Sequence, residues 1–374
     1  MDKKDVKRNL FDHSSAKVRL LSEYLKRYLN IIANDPYTER IKIYDLFCGE
    51  GLYDNGGEGS PLAIMRCVKD LHFANVAKLS RIVPIDCHFN DIEGKKVQKL
   101  KSAIKDKSLH YDKFGDLSFS SDDYKNQVDN LKKLLPTLHK QKVFVFIDPY
   151  EYKHISASDI KSLLSQKHSE VLLFLPTQFM YRFDKKGTPQ ALKDFIEEIV
   201  EYKKWRENEN NSSWDFVNQL KEAFREYLGV HHFVDTFTIE KDQNTVFSLF
   251  FFTSHIKGFE KMLEAKWEID TEQGKGWNYT GNPPSLFHAF KTNPLEEKLK
   301  VFLRGKQRTN GDAYEFTLRA GFLPKHANEV FYNWQNNGNL EVVTRNGERA
   351  RKGSFYIAYN YYRDDCNKVS FRLK

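Results

Sequence analysis

Cysteine is scarce in this chain. The 374 residues hold four, Cys48, Cys67, Cys87 and Cys366, with no C-x-x-C spacing and no histidine cluster beside them. That argues against a zinc site or a disulfide framework and for a reducing compartment. Also missing is any apolar run near the roughly 18 residues a membrane span needs. The amino terminus, MDKKDVKRNL, lacks the apolar stretch of a secretory signal. A cytoplasmic protein with no membrane partner is therefore expected. There is no internal repeat, no low-complexity segment, and no PD-(D/E)xK or clustered His/Asp spacing of a metal nuclease, so no metal site is expected. Acidic residues are not in excess either: 51 stand against 59 basic ones, a net charge of +8, which favours polyanionic partners.

What is present is an alternation of helix and strand. Ala16, Leu20, Leu21, Tyr24, Leu25, Tyr28 and Leu29 recur at three- and four-residue spacing and predict a helix over 11–33 with one buried stripe. Strands are predicted at 41–47, 83–90, 117–120, 142–150 and 170–176, each an apolar or alternating run. Helices are predicted between them at 60–71, 93–106, 123–135 and 156–166. Such alternation gives an α/β domain with a mostly parallel sheet. A charged helical segment follows at 190–228, in which KKWRENENNSS reads as a surface loop. HHFVDTFTIE and TVFSLFFFTSH, joined by KDQN, then predict an antiparallel hairpin. A parallel sheet closed by such a pair is the Rossmann-like class I methyltransferase arrangement. The expected organisation is an α/β domain over 1–270 with an N-terminal helix, a Gly- and Pro-rich linker over 271–289, and a distinct domain over 290–374. In that last part three helices, beginning PLEEKLK, TNGDAYE and LPKHANE, precede LEVVTRNGERARKGSFYIAY, read as two strands about a basic turn. Helices followed by a β-wing describe a winged-helix-like α+β domain.

The first strand ends in Asp45-Leu46-Phe47-Cys48-Gly49-Glu50-Gly51. A turn passing a bound nucleoside closely at a strand's carboxyl end must lack β-carbons, which Gly49 and Gly51 provide. Asp91, after the next strand, is placed to accept hydrogen bonds from ribose hydroxyls. The dinucleotide fingerprint is not completed, since Leu-Tyr-Asp-Asn follows Gly51 where a third glycine should open a helix. Asp122 or Asp123, after the third strand, could meet an adenine amine or cap the following helix. At the fourth strand's end, Asp148 and the carbonyl of Pro149 can accept both protons of an exocyclic amine while Tyr150 stacks on the base, with Glu151 adjoining.

These motifs resemble those of amino-methyltransferases carrying Asp/Asn-Pro-Pro-Tyr, among them the adenine-N6 methyltransferases of DNA and of large-subunit rRNA. One proline is missing here. Phe11-Asp12-His13, Lys17, DLFCGEGLY, Gly59-Ser60-Pro61-Leu62 and Phe146-Ile147-Asp148-Pro149-Tyr150 resemble more narrowly the three-Cys-motif partner protein family (TcmP), over about residues 1–270. The resemblance implies a methyltransferase-like fold, S-adenosylmethionine as cofactor, and a three-cysteine iron–sulfur partner protein. It also implies that Lys17 and His13 lie beside the cofactor's carboxylate end. DLFCG is similar to cytosine-C5 methyltransferases too, but the chain has no Pro-Cys pair to supply their nucleophile.

The expected cofactor set is thus Lys17, Asp45, Phe47, Gly49, Gly51, Asp91 and Asp122, with Asp148, Pro149 and Tyr150 as the catalytic corner. Ser60, Pro61, Glu151, Trp334 and Arg351 are expected at the substrate. In the tail, Lys325, His326, Arg345, Arg349, Arg351 and Lys352 suit phosphate contacts, and Tyr332 and Trp334 suit base stacking. The two functions that follow are an S-adenosylmethionine-dependent methyltransferase acting on an amine in DNA or RNA, and a non-catalytic nucleic-acid-binding adaptor of the same fold.

Overall fold

The computed structural model describes residues 12–149, 155–207, 212–242, 245–278 and 293–374. The chain forms two compact units, 1–255 with 275–281, and 256–274 with 282–374.

In the first unit the elements run α1 (Asp12–Asn34), β1 (Arg40–Asp45), α2 (Ser60–Ala77), β2 (Ile85–Asn90), α3 (Gly94–Asp106), β3 (Leu117–Ser120), α4 (Tyr124–Leu134), β4 (Gln141–Ile147), α5 (Ala157–Leu164), β5 (Ser169–Leu175), α6 (Thr177–Lys186), α7 (Gln190–Glu197), α8 (Tyr202–Arg206), α9 (Ser213–Leu228), β6 (Phe233–Asp242) and β7 (Thr245–Thr253). After α10 (Ile256–Ile269), which belongs to the second unit, β8 (Gly276–Asn278) returns to the sheet. Strand order is β3-β2-β1-β4-β5-β7-β6-β8, with β7 antiparallel to both its neighbours and the remaining pairs parallel. This is the class I methyltransferase sheet expected from the alternation of elements, with one parallel edge strand added.

The central strands are apolar on both sides because both sides are covered. Val143, Val145 and Ile147 face a cluster made with Val128 and Leu131 of α4, Ile160 and Leu163 of α5, and Phe216, Leu220 and Phe224 of α9. Phe144 meets the rings of Tyr24 and Tyr28 on α1, at 5.7 and 5.8 Å. A sheet buried on two faces reads in sequence as a continuous apolar run, as Val143–Ile147 does.

Two expectations are corrected here. The segment KKWRENENNSS is not wholly a surface loop: its first four residues belong to α8, and Trp205 is buried, its indole N–H donating to Asp184 Oδ1 at 3.3 Å. Within the span expected as a linker, Gly276–Asn278 pairs with Thr238–Glu240 as a short strand, and residues 256–274 before it belong to the second unit.

The second unit holds α10, α11 (Asn293–Leu303), β9 (Arg308–Thr309), α12 (Asn310–Arg319), α13 (Pro324–Asn336), β10 (Leu340–Thr344), α14 (Tyr359–Asp364) and β11 (Val369–Leu373). Its sheet has the order β10-β11-β9, antiparallel throughout. Three helices and this small sheet make a winged-helix-like α+β fold. The wing differs from its predicted form: residues 353–359 are not its returning strand. A single bridge, Val343 to Arg349, closes the basic turn, and β10 takes β11 as its partner. Alternating Val369, Phe371 and Leu373 carry the strand pattern that the tail's charges obscure.

Glu170 makes a prediction of its own. It is buried on β5, accepting from the Tyr24 hydroxyl and from Thr253 Oγ1 at 2.9 Å. Burial pushes its carboxyl up to about 7 against the pull of those bonds. The folded chain therefore holds a proton between pH 4.5 and about 7 that the unfolded chain has released, so stability falls as pH rises through that window. At about 1.4 kcal/mol per unit, the fall amounts to roughly 3 kcal/mol. Glu170→Gln is expected to flatten the decline of the thermal midpoint between pH 5 and pH 8. A variant keeping the parent's full slope would show that Glu170 is not its source.

Candidate active site

β1 and β4 lie side by side and parallel, with Asp45 opposite Phe146, and the Leu46 amide donates to the Phe146 carbonyl at 3.1 Å. The glycine loop after β1 and the Asp148-Pro149 corner after β4 therefore leave the same carboxyl rim from neighbouring strands. In open α/β sheets ligands bind at that rim.

The loop is held by carboxylates from within. Asp45 is fully buried; its Oδ2 accepts from Ser60 Oγ at 2.6 Å and its Oδ1 from the Phe47 amide at 3.3 Å. Burial pushes its carboxyl up to about 7, Ser60 draws it down, and the charge of Asp148 raises it again. Asp91 is also buried: Oδ2 accepts from the Gly49 amide at 3.1 Å and Oδ1 from the Glu93 amide at 2.9 Å. Gly49 and Gly51 have φ of +63° and +76°, a region that costs side chains strain. Their surroundings differ. A β-carbon on Gly51 would lie 2.5 Å from Leu100 Cδ1, whereas one on Gly49 would meet nothing within 4 Å. Gly51 closes the loop onto its helices, and Gly49 faces open space.

On the other strand, Asp148 is half-buried and paired with Lys17 of α1, whose ammonium also stands 4.5 Å from the centroid of Phe174. Phe174 packs on Phe247 at 5.6 Å. Tyr53, on the glycine loop, has its hydroxyl pushed up to about 12 by burial, with the negative charges of Asp148 and Asp45 adding to it. Lys17, Asp45, Tyr53 and Asp148 thus occupy one neighbourhood.

The third strand joins through Asn90. Its side chain donates to the carbonyls of Leu46 at 3.3 Å and Asp122 at 3.0 Å, and accepts from Ser120 Oγ at 2.6 Å and the Asp122 amide at 3.1 Å. One buried amide thereby ties the ends of β1, β2 and β3. Asp123 is the N-cap of α4, its Oδ1 accepting from the Lys125 amide at 2.8 Å. Asp122 accepts from Asn126 at 2.8 Å, a bond that heads the causes holding its carboxyl below the ordinary range. Phe47 stacks on Tyr124 with centroids 5.2 Å apart.

Some expected roles are corrected. Ser60 and Pro61 are buried at the start of α2, and the Ser60 hydroxyl is committed to Asp45, so neither presents a surface to substrate. Trp334 is a core residue, 5% exposed, its indole N–H donating to Glu296 at 2.9 Å. His326 is likewise buried, with Nδ1 accepting from the Leu323 amide at 3.2 Å and its ring 4.3 Å from Trp267. Lys325, Tyr332, Arg345, Arg349, Arg351 and Lys352 are exposed. Tyr150, Glu151 and the side chain of His13 lie outside the described residues. Asn90, Tyr53 and Phe174 were not anticipated; the signal for Asn90 was its place at the end of the second strand in HFNDIE.

A GMT-like wHTH domain profile matches residues 276–347. No curated protein sequence matches the chain. Among solved structures it is similar to an O-methyltransferase from Bacillus cereus in complex with SAH, at 9% identity and TM-score 0.35, over 62% of this chain and 80% of that one. The O-methyltransferase TomG from Streptomyces achromogenes, in complex with SAM, is 10% identical over 67% of this chain and 93% of its own, with TM-score 0.32. The methyltransferase domain of bacterial CtHen1 is 11% identical, covering 62% of this chain and 98% of its own, with TM-score 0.31. Among the described residues no cluster of His, Cys, Asp or Glu could hold a metal, and no helix is long and apolar enough to cross a membrane.

The two glycines are distinguishable by substitution. Gly51→Ala, which combines left-handed backbone with a steric clash, is expected to cost roughly 2–3 kcal/mol. Gly49→Ala, strained only through its backbone, should cost about 1 kcal/mol. Urea unfolding measures both, and equal losses would refute the assignment of packing to Gly51 alone.

Proposed function

We propose that the chain is an S-adenosylmethionine-dependent methyltransferase acting on an exocyclic amine of a nucleic-acid base, with adenine as the substrate that suits the Asp148-Pro149-Tyr150 sequence. The observation that carries this reading is the side-by-side emergence of the glycine loop and Asp148 from β1 and β4. The loop fits the cofactor: Gly49 leaves open space where a side chain would stand, and Asp91 fixes its amide. Phe47, Gly49, Asp91 and Asp122 would hold the nucleoside, and Lys17 the carboxylate end. Asp45 and Gly51 serve by shaping the loop.

The cofactor would supply an electrophilic methyl group. The chain's own part is orientation. Asp148 and the Pro149 carbonyl accept the two amine protons and direct the nitrogen lone pair outward, while Tyr150 stacks on the base. The Lys17–Asp148 pair bears on this directly, since Lys17 meets Oδ2 and leaves Oδ1 to accept from an amine.

The same pair favours a second reading, an adaptor that keeps the fold, binds nucleic acid, and serves a three-cysteine iron–sulfur partner. There the ion pair would be permanent. The GMT-like wHTH match supports nucleic acid as a partner under both readings.

Titration calorimetry with S-adenosylmethionine tests the cofactor, and transfer of labelled methyl to DNA and RNA tests the reaction. Asp148→Ala is expected to lower transfer at least about a hundredfold while leaving cofactor binding intact. Absence of cofactor binding, with or without nucleic acid, would remove the methyltransferase reading. Cofactor binding without transfer to any nucleic acid would leave the adaptor.

A further inference from the structure

In the second unit, a run of positive charge without ion-pair partners lies on the wing. Residues 345–352, RNGERARK, carry Arg345, Arg349, Arg351 and Lys352 against Glu348 alone. Elsewhere in that unit Lys257, Lys261, Lys300, Arg319 and Arg363 are spent on carboxylates. Arg345, Arg349 and Arg351 form no ion pair with a described residue. The exposed face of α13, the helix that a winged helix commonly lays in a groove, is nearly neutral: Lys325 and Glu329 offset each other beside Tyr332 and Asn333.

The wing also encloses a cleft of 280 Å³, lined by Thr344, Arg345, Arg351, Tyr356, Asp365 and Lys368 among others. Its walls are built. Asn310, fully buried, donates to the carbonyls of Tyr356 at 3.4 Å and Asp365 at 3.1 Å and accepts from the Val369 amide at 3.2 Å. Tyr356 is held there at φ +55°, unusual for a bulky residue, and meets Tyr361 edge to face at 4.8 Å. Lys368 stands 5.0 Å from the Tyr356 ring centroid, with Asp365 a loose partner at 3.5 Å. The Thr344 hydroxyl is buried with no hydrogen-bond partner.

We propose that this cleft takes a phosphodiester of a nucleic-acid strand, with Arg345, Arg351 and Lys368 on the phosphate and Tyr356 stacked on the adjoining base. The wing, and not α13, then makes the principal contact. Guanidinium groups suit phosphate oxygens in pairs, and an aromatic ring takes any base. This rests on reading the second unit as a nucleic-acid binder.

The full chain is titrated against fluorescent single-stranded and duplex oligonucleotides of DNA and RNA, read by anisotropy at several salt concentrations. Removing two phosphate contacts in Arg345→Gln/Arg351→Gln is expected to weaken binding about tenfold or more and to lower the salt slope by about 2. Tyr356→Gly, which also relieves the backbone, should weaken binding about fivefold or more with the slope unchanged. Lys325→Gln/Tyr332→Ala on α13 should change affinity less than either. Parent-like binding by the arginine variant, or a larger loss from the α13 variant, overturns the proposal while the nucleic-acid reading stands. A parent chain that binds no oligonucleotide but binds adenosine 5′-monophosphate, with that binding lost in Arg345→Gln/Arg351→Gln, assigns the cleft to a free nucleotide and overturns it. A parent that binds neither overturns both. Circular dichroism melts of each variant separate loss of contact from loss of fold.

Discussion

Two buried carboxylates give the loop after β1 its form. Asp91 takes the Gly49 amide from the side of β2, and Asp45 takes the Phe47 amide and the Ser60 hydroxyl from below. Each oxygen removed from water needs a donor, and the loop's amides supply several of them. The tight path through two left-handed glycines brings those amides to the acids. With the loop fixed, α2 begins where Ser60 reaches Asp45, and the open side of Gly49 is turned outward at the rim.

Asp148 is governed by its neighbours in the same way. It shares the field of Asp45 and Tyr53, and Lys17 balances its charge. Burial, with the charge of Asp148 adding to it, pushes the Asp45 carboxyl up to about 7. Asp45 is thus a buried acid, Asp148 a paired one and Lys17 a cation on a helix, and each constrains the others.

Much of this was legible from residue patterns because it rests on periodicity. The alternation of helix and strand, the terminal hairpin, the glycine pair and the Asp-Pro corner are local signals, and each lies where it was expected. What was misread depends on tertiary partners. Trp334 and Tyr332 look equivalent in sequence, yet one fills the core against Glu296 and the other is exposed. Ser60 reads as a polar residue beside a functional loop, but its hydroxyl is bound inward. The wing's second strand was sought in the aromatic run 353–359, whereas β10 pairs with Val369–Leu373 across an intervening helix. Long connections of that kind leave no local trace.

The path of the chain between the units has an architectural consequence. It passes from the first to the second after residue 255, back after 274, and over again after 281. No single proteolytic cut can release two intact pieces: cleavage near 280 leaves α10 without Tyr314, whose hydroxyl Glu260 accepts, and cleavage near 255 strips β8 from its sheet. The units are interleaved in the gene rather than strung end to end, and neither can be exchanged as a cassette at one boundary.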